Sequence, residues 1–212
     1  MEIDSAPVFL SSHNASGGWP SVAYMLAHVQ LRKVDVPGDN HCGYWALLLS
    51  LAWVASDAFC RCPWPKTADG PEAEGLMARM RSLRRLVAGW MRANKGSRLL
   101  RDMPSLWLAG GELKEATLRR HGEGEAWVAP EQWRALAGLL GTDIAVLHQP
   151  ADLVPVYSLT RPLRGGPITQ SWRETLAPRL TRQHAGICEW HGRKLVVIHW
   201  NGSNHFSATR PI

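Results

Sequence analysis

The sequence predicts one α+β domain, with helices packed around a small central β-sheet. Three observations point there: helical periodicity through the first two thirds, apolar strand patterns and hairpin turns in the last third, and no steady βαβ alternation. At 212 residues and 45% hydrophobic content, the chain is long enough for one buried core and short for two. Residues 1–35 read as an N-terminal arm of the same domain, and 36–212 as its body.

Taken in order, Ser11 to Gly18 form a turn-rich arm, followed by an apolar stretch from Val22 to Val29. Gly43 to Ala55 is apolar almost all round, as in a helix buried at the centre of a domain. Pro63 and Pro65 end regular structure. Leu76, Met80, Leu83, Val87, Trp90 and Met91 recur at helical spacing and predict an amphipathic helix over 74–93. Shorter helical pieces follow over 99–108 and 112–120. Pro130 opens another helix, with Trp133, Leu136, Leu139 and Leu140 on one face and Gly141 as its stop. Strands are expected over 144–148 and 153–159. A hairpin joins 187–190 to 194–200 through His191-Gly192-Arg193.

Composition narrows the function. The net charge of +6 comes largely from arginines spread along helices (Arg79, Arg81, Arg84, Arg85, Arg92), read as solvated helix faces. No nucleic-acid partner is therefore expected. No apolar run reaches membrane-spanning length and the N-terminus lacks signal-peptide character, so the expectation is a soluble, monomeric, cytoplasmic protein. Four cysteines (Cys42, Cys60, Cys62, Cys188) are too few for a disulfide framework and fit a reducing compartment. Cys60, Cys62, Cys188 and His191 would make a zinc set only if folding brought them together. Reduced cysteines in or near the core are the plainer reading, and no cofactor is expected. Most of the eleven tryptophans should be core or rim residues.

One cysteine stands apart. Cys42 ends the polar turn Pro37-Gly38-Asp39-Asn40-His41 and begins the apolar helix, where unpaired N–H groups and the helix dipole favour a thiolate. A thiol nucleophile also needs a base and N–H donors for the oxyanion. His205, just past the turn of the hairpin from Val196 to Ala208, is the preferred base. His199, on an apolar strand, is the competitor. The loop from Asp39 to His41 offers N–H groups near the sulfur. Asn201, Asn204 and Ser207 are candidates to orient the imidazole, as is Asp39 if its loop folds back. The two asparagines read equally as turn residues. His41, Trp45, Trp200 and Phe206 are candidates to line a substrate channel.

Three blocks, in order, resemble the ovarian-tumour (OTU) family of cysteine proteases. They are Asp39-Asn40-His41-Cys42 followed by Tyr44 and Ala46, then Trp127 to Glu131 leading through the Leu136–Leu140 helix into the strand Thr142 to Leu147, and finally Ile198 to Phe206. Together they cover 36–208. The resemblance implies a papain-like OTU fold, with Cys42 as nucleophile, His205 as general base and Asp39 shaping the oxyanion site. It also implies cleavage after the terminal Gly-Gly of ubiquitin or a ubiquitin-like protein. Alternatives are a processing protease cutting a precursor at a Gly-Gly-like site, and a catalytically inactive ubiquitin-binding module. The compact length suggests a bacterial or viral enzyme acting in a host cytoplasm. Two departures stand out: Gly43 where the family has a larger apolar residue, and Ser207 where many members carry Asp or Asn. Leu163-Arg164-Gly165-Gly166 repeats the end of ubiquitin and reads as an ordinary loop.

Overall fold

The computed structural model describes residues 22–51, 70–96, 100, 114–148, 153–157, 168–171, 180–184 and 187–212. The arm up to residue 21, Cys60, Cys62, most of the piece expected over 99–108, and the Leu163–Gly166 loop lie outside the described residues.

Helices and a mixed sheet make the chain α+β. The described helices are α1 (Val22–Ala27), α2 (Cys42–Ser50), α3 (Pro71–Ala93), α4 (Glu115–Glu123) and α5 (Pro130–Leu140). The strands are β1 (Leu31–Val34), β2 (Asp143–His148), β3 (Leu153–Tyr157), β4 (Ile168–Ser171), β5 (Leu180–His184), β6 (Ile187–Trp190), β7 (Arg193–Trp200) and β8 (Phe206–Pro211). They form one eight-stranded sheet in the order β1-β8-β7-β2-β3-β4, with β6 on β7 and β5 on β6. The sheet is thus larger than the sequence suggests, since β1, β4 and β5 are short segments rich in polar residues.

The pivot is β7. It runs parallel to β2 along its whole apolar length, while its other edge is shared, Arg193 to Val196 pairing with β6 and His199–Trp200 with β8. Arg193 pins the parallel pair at one end, donating to both carboxylate oxygens of the buried Asp143 at 2.8 and 3.0 Å. The β6–β7 turn at His191 and Gly192 has φ of 51° and 72°, the left-handed pair that suits a two-residue hairpin.

Strand alternation sorts side chains to two cores. Val196 and Ile198 join Ile144, Val146 and helices α2, α3 and α5 on one face; Leu195 and Val197 join Ala145, Leu147 and α1 on the other. Every residue of α2 is buried, which explains its apolar circumference. In α5, Pro130 stands in the first turn and the Ala129 N–H donates to Gln132 Oε1 at 2.8 Å, while Gly141 ends the helix at φ 60°. Helix α4 starts and ends three residues later than its pattern predicts, because the stop is Gly124 at φ 91°. No described helix is long and apolar enough to cross a membrane.

Gly43 has a steric reason. A Cβ there would lie 2.9 Å from Val128 Cγ2 and 3.3 Å from Phe206 Cδ2. Gly43→Ala is expected to cost about 1–3 kcal/mol by overpacking, read as a lower melting temperature. Val128→Ala in the same chain should recover part of the loss. A single variant melting like the parent would contradict the contact.

Candidate active site

The β7–β8 turn, the loop before α2 and the start of α2 converge. Cys42 opens α2, and its side chain is 1% exposed. The backbone N–H groups of Phe206, Gly43 and Cys42 itself point at the sulfur. Phe206 is the residue after His205, so the start of β8 brings the histidine's backbone alongside the thiol. On its other side, His205 faces the loop before α2, where a Cβ on Gly38 would lie 3.8 Å from the imidazole Nδ1.

Asn201 fixes that approach. Its Oδ1 accepts from the N–H groups of Ser203, Asn204 and His205 at 2.9–3.0 Å, and its own N–H donates to the His205 carbonyl at 2.9 Å. Asn201 Nδ2 donates to Asn204 Oδ1 at 3.1 Å. Both asparagines are therefore turn residues, and Asn201 holds the backbone of His205. Ser207 turns elsewhere, donating from Oγ to Asp35 Oδ1 at 2.9 Å. The competitor His199 is buried on β7, opposite Ser207 in the β7–β8 pairing.

Asp39 shapes the nucleophile loop from within. Its Oδ1 accepts the His41 N–H at 2.8 Å, its backbone carbonyl accepts the Cys42 N–H at 3.2 Å, and Trp45 Nε1 makes a long contact to Oδ2 at 3.5 Å. The sequence suggests that the loop from Asp39 to His41 offers N–H groups near the sulfur; that of His41 is given to Asp39. An Asx-type turn is the local alternative that a short acidic side chain offers the backbone.

Arg84 holds the same loop from behind. Read as a solvated arginine, it is in fact fully buried, because it occupies a position on the apolar stripe of α3 between Met80 and Val87. Its guanidinium donates to the carbonyls of Asn40 at 2.7 Å, His121 at 2.7 Å and Ala126 at 2.9 Å, and covers the Tyr44 ring at 4.4 Å. An apolar helix face interrupted by one arginine, facing a polar loop, is the signal that could have found it.

The channel candidates fare unevenly. Trp45 is a core side chain, as expected on a helix buried all round. Phe206 is buried between Trp133, edge-on at 5.3 Å, and Trp200, stacked at 6.2 Å. His41 is buried against Gly124, where a Cβ would lie 2.7 Å from the ring. Trp200 keeps partial exposure. Trp127, next in sequence to the Val128 that covers Gly43, is 41% exposed.

Burial governs the electrostatics. It pushes the Cys42 thiol above its ordinary 9.0, helped by the Asp39 charge and opposed by the three N–H groups. The thiolate favoured by the sequence reading is therefore not the resting form, because desolvation outweighs the N–H groups. Burial also pulls His205 below 6.5, against the Asp35 and Asp39 carboxylates, which favour the imidazolium. Near neutral pH the pair rests as thiol and neutral imidazole.

Of the zinc set, Cys188 is buried in the sheet core while His191 stands exposed in a turn. Among the described residues no group of three or more His, Cys, Asp or Glu could hold a metal.

No protein-family model matches the chain, and no curated protein is significantly similar to it in sequence. Solved structures are similar in fold. The OTU domain of OTUD1 aligns over 88% of this chain and 90% of its own, at 12% identity and a TM-score of 0.50. An OTU deubiquitinase from Wolbachia pipientis wMel, solved bound to ubiquitin, aligns over 86% of this chain and 96% of its own, at 12% identity and a TM-score of 0.50. The chain has the fold of OTU domains.

Proposed function

We propose that the chain is a thiol-dependent deubiquitinase, cleaving the isopeptide bond after the terminal Gly-Gly of ubiquitin or a ubiquitin-like protein. The observation that carries this reading is the meeting of the Cys42 sulfur with the Phe206 N–H, one residue beyond His205, in a chain with the OTU fold. The ubiquitin bound to the Wolbachia enzyme suggests the substrate.

In this mechanism neutral His205 takes the thiol proton as the sulfur attacks the glycine carbonyl carbon. The C–N bond then breaks, the imidazolium returns the proton to the departing lysine amine, and a thioester remains. Water, deprotonated by the same imidazole, hydrolyses the thioester and releases the carboxylate and the free thiol. The developing oxyanion would compete with Asp39 for the His41 N–H. Glycines have no side chains, which suits a sulfur enclosed as closely as this one.

The test is reaction with ubiquitin bearing a C-terminal thiol-reactive warhead. An adduct is expected with the parent chain and none with Cys42→Ala. Tight binding without an adduct would make the chain a binding module. An adduct that persists in Cys42→Ala would move the nucleophile elsewhere.

A further inference from the structure

We infer that Asp35 is the carboxylate that positions the imidazole of His205, recruited across the β1–β8 ladder in place of an acid downstream of the histidine. The inference rests on the deubiquitinase reading only for its kinetic arm.

The ladder supplies the geometry. Leu31, Arg32, Lys33 and Val34 pair with Pro211, Arg210, Thr209 and Ala208. One further step sets Asp35 opposite Ser207, and the Ser207 Oγ–Asp35 Oδ1 bond of 2.9 Å is that step made visible. Continued two residues further, the same register would bring Pro37 opposite His205, in keeping with the approach of Gly38 to the ring. Side chains two apart on an extended segment lean to one face, so His205 and Ser207 share the side to which Asp35 turns.

The carboxylate has capacity for the task. Ser207 Oγ and Lys33 Nζ, at 2.9 and 3.1 Å, both occupy Oδ1, and a carboxylate accepts on both oxygens. In this assignment Oδ2 is the oxygen that serves the imidazole. Ser207 is fully enclosed and works as a strut, locking the Asp35 rotamer and leaving the histidine's side-chain torsions as the freedom to be restrained. The backbone of His205 is already held on both sides by Asn201. The charged groups that act on the imidazole are Asp35, Lys33 and Asp39. Asp39 is committed to its own loop through His41 and Trp45, which leaves Asp35 as the acid available for orientation. The reaction then gains a base held in one orientation and an imidazolium stabilised as it forms.

The experiment compares Asp35→Ala, Asp35→Asn and Lys33→Ala with the parent chain. The Asp35 side chain is 67% exposed, so its removal should not unfold the protein, and Asn keeps the shape without the charge. Histidine NMR titration, with the His205 resonance assigned by His205→Ala, gives a readout independent of any substrate. The His205 pKa should fall in both Asp35 variants, where a favourable charge is lost, and rise in Lys33→Ala, where an unfavourable one is lost. With a fluorogenic ubiquitin C-terminal amide, kcat should fall about 10- to 100-fold in Asp35→Ala with KM little changed, and Asp35→Glu should restore part. The acid limb of the rate profile should move to lower pH in the Asp35 variants and to higher pH in Lys33→Ala. A His205 titration that ignores residue 35, or a kcat within twofold of the parent, overturns the assignment. A parent chain that hydrolyses no ubiquitin substrate while its His205 titration still follows Asp35 overturns the deubiquitinase reading and leaves the pairing standing.

Discussion

Arg84→Ala is expected to be among the most damaging single substitutions in the chain, lowering stability by about 3–5 kcal/mol. Three backbone carbonyls, from Asn40, His121 and Ala126, take their hydrogen bonds from one buried guanidinium. Truncation leaves all three without that donor, each costing roughly 1–3 kcal/mol where water cannot replace it, and opens a void beside Tyr44. Arg84→Lys should recover only part, since an ammonium is a compact charge and cannot span three carbonyls with a planar fork. The first readout is melting temperature, with a drop of roughly 6–20 °C for the alanine variant. The second is turnover measured well below that melt. Without Arg84 the Asn40 carbonyl is released and the loop before Cys42 loses its rear anchor, so the folded fraction should still turn over more slowly. An alanine variant that melts within about 2 °C of the parent would mean that water already serves these carbonyls.

Arg84 also marks where sequence reasoning stops. Features written in local pattern were legible: the thiol at the start of a helix, the entry of α5 at Pro130 and its exit at Gly141, and the hairpin turned by His191-Gly192. Each depends on residues within a few positions of one another. What was not legible depends on contacts far apart in the chain. Arg84 is polar in any composition count, yet its place on the α3 stripe faces a loop 44 residues away. Asp35 carries no motif; it matters through a register with Ser207 172 residues later. Trp45 and Phe206 are candidates, from the sequence, for the walls of a narrow Gly-Gly channel, with a core position as the alternative for each. Burial of α2 on every side and the packing of Phe206 between two tryptophans make both of them core residues. The departure at Gly43 is likewise a packing fact, set by Val128.

The same network predicts a loss of stability in acid. His121 is buried, its imidazole lies near the charges of Arg84 and Arg120, and its pKa is pulled down from 6.5 to about 4, chiefly by burial. In that window the unfolded chain binds a proton that the folded chain refuses. Stability is therefore fully present above pH 6.5 and falls as pH drops towards 4, by about 2–3 kcal/mol in all. His205, also lowered, adds to the loss with the same sign, whereas Asp35, held below 3.8, changes protonation beneath the window. Comparison of the parent chain with His121→Gln isolates the contribution, since the other groups titrate in both. Urea midpoints at pH 7.5 and 4.5 should separate widely in the parent and draw together in the variant. An equal separation in both would remove His121 from the account. Because the carbonyl of His121 is one of the three that anchor Arg84, protonating its ring sets a second cation against the guanidinium that holds Asn40. Acid should then loosen the loop before Cys42 ahead of global unfolding, and hydrogen exchange at 39–42 should accelerate at a higher pH than exchange in β7.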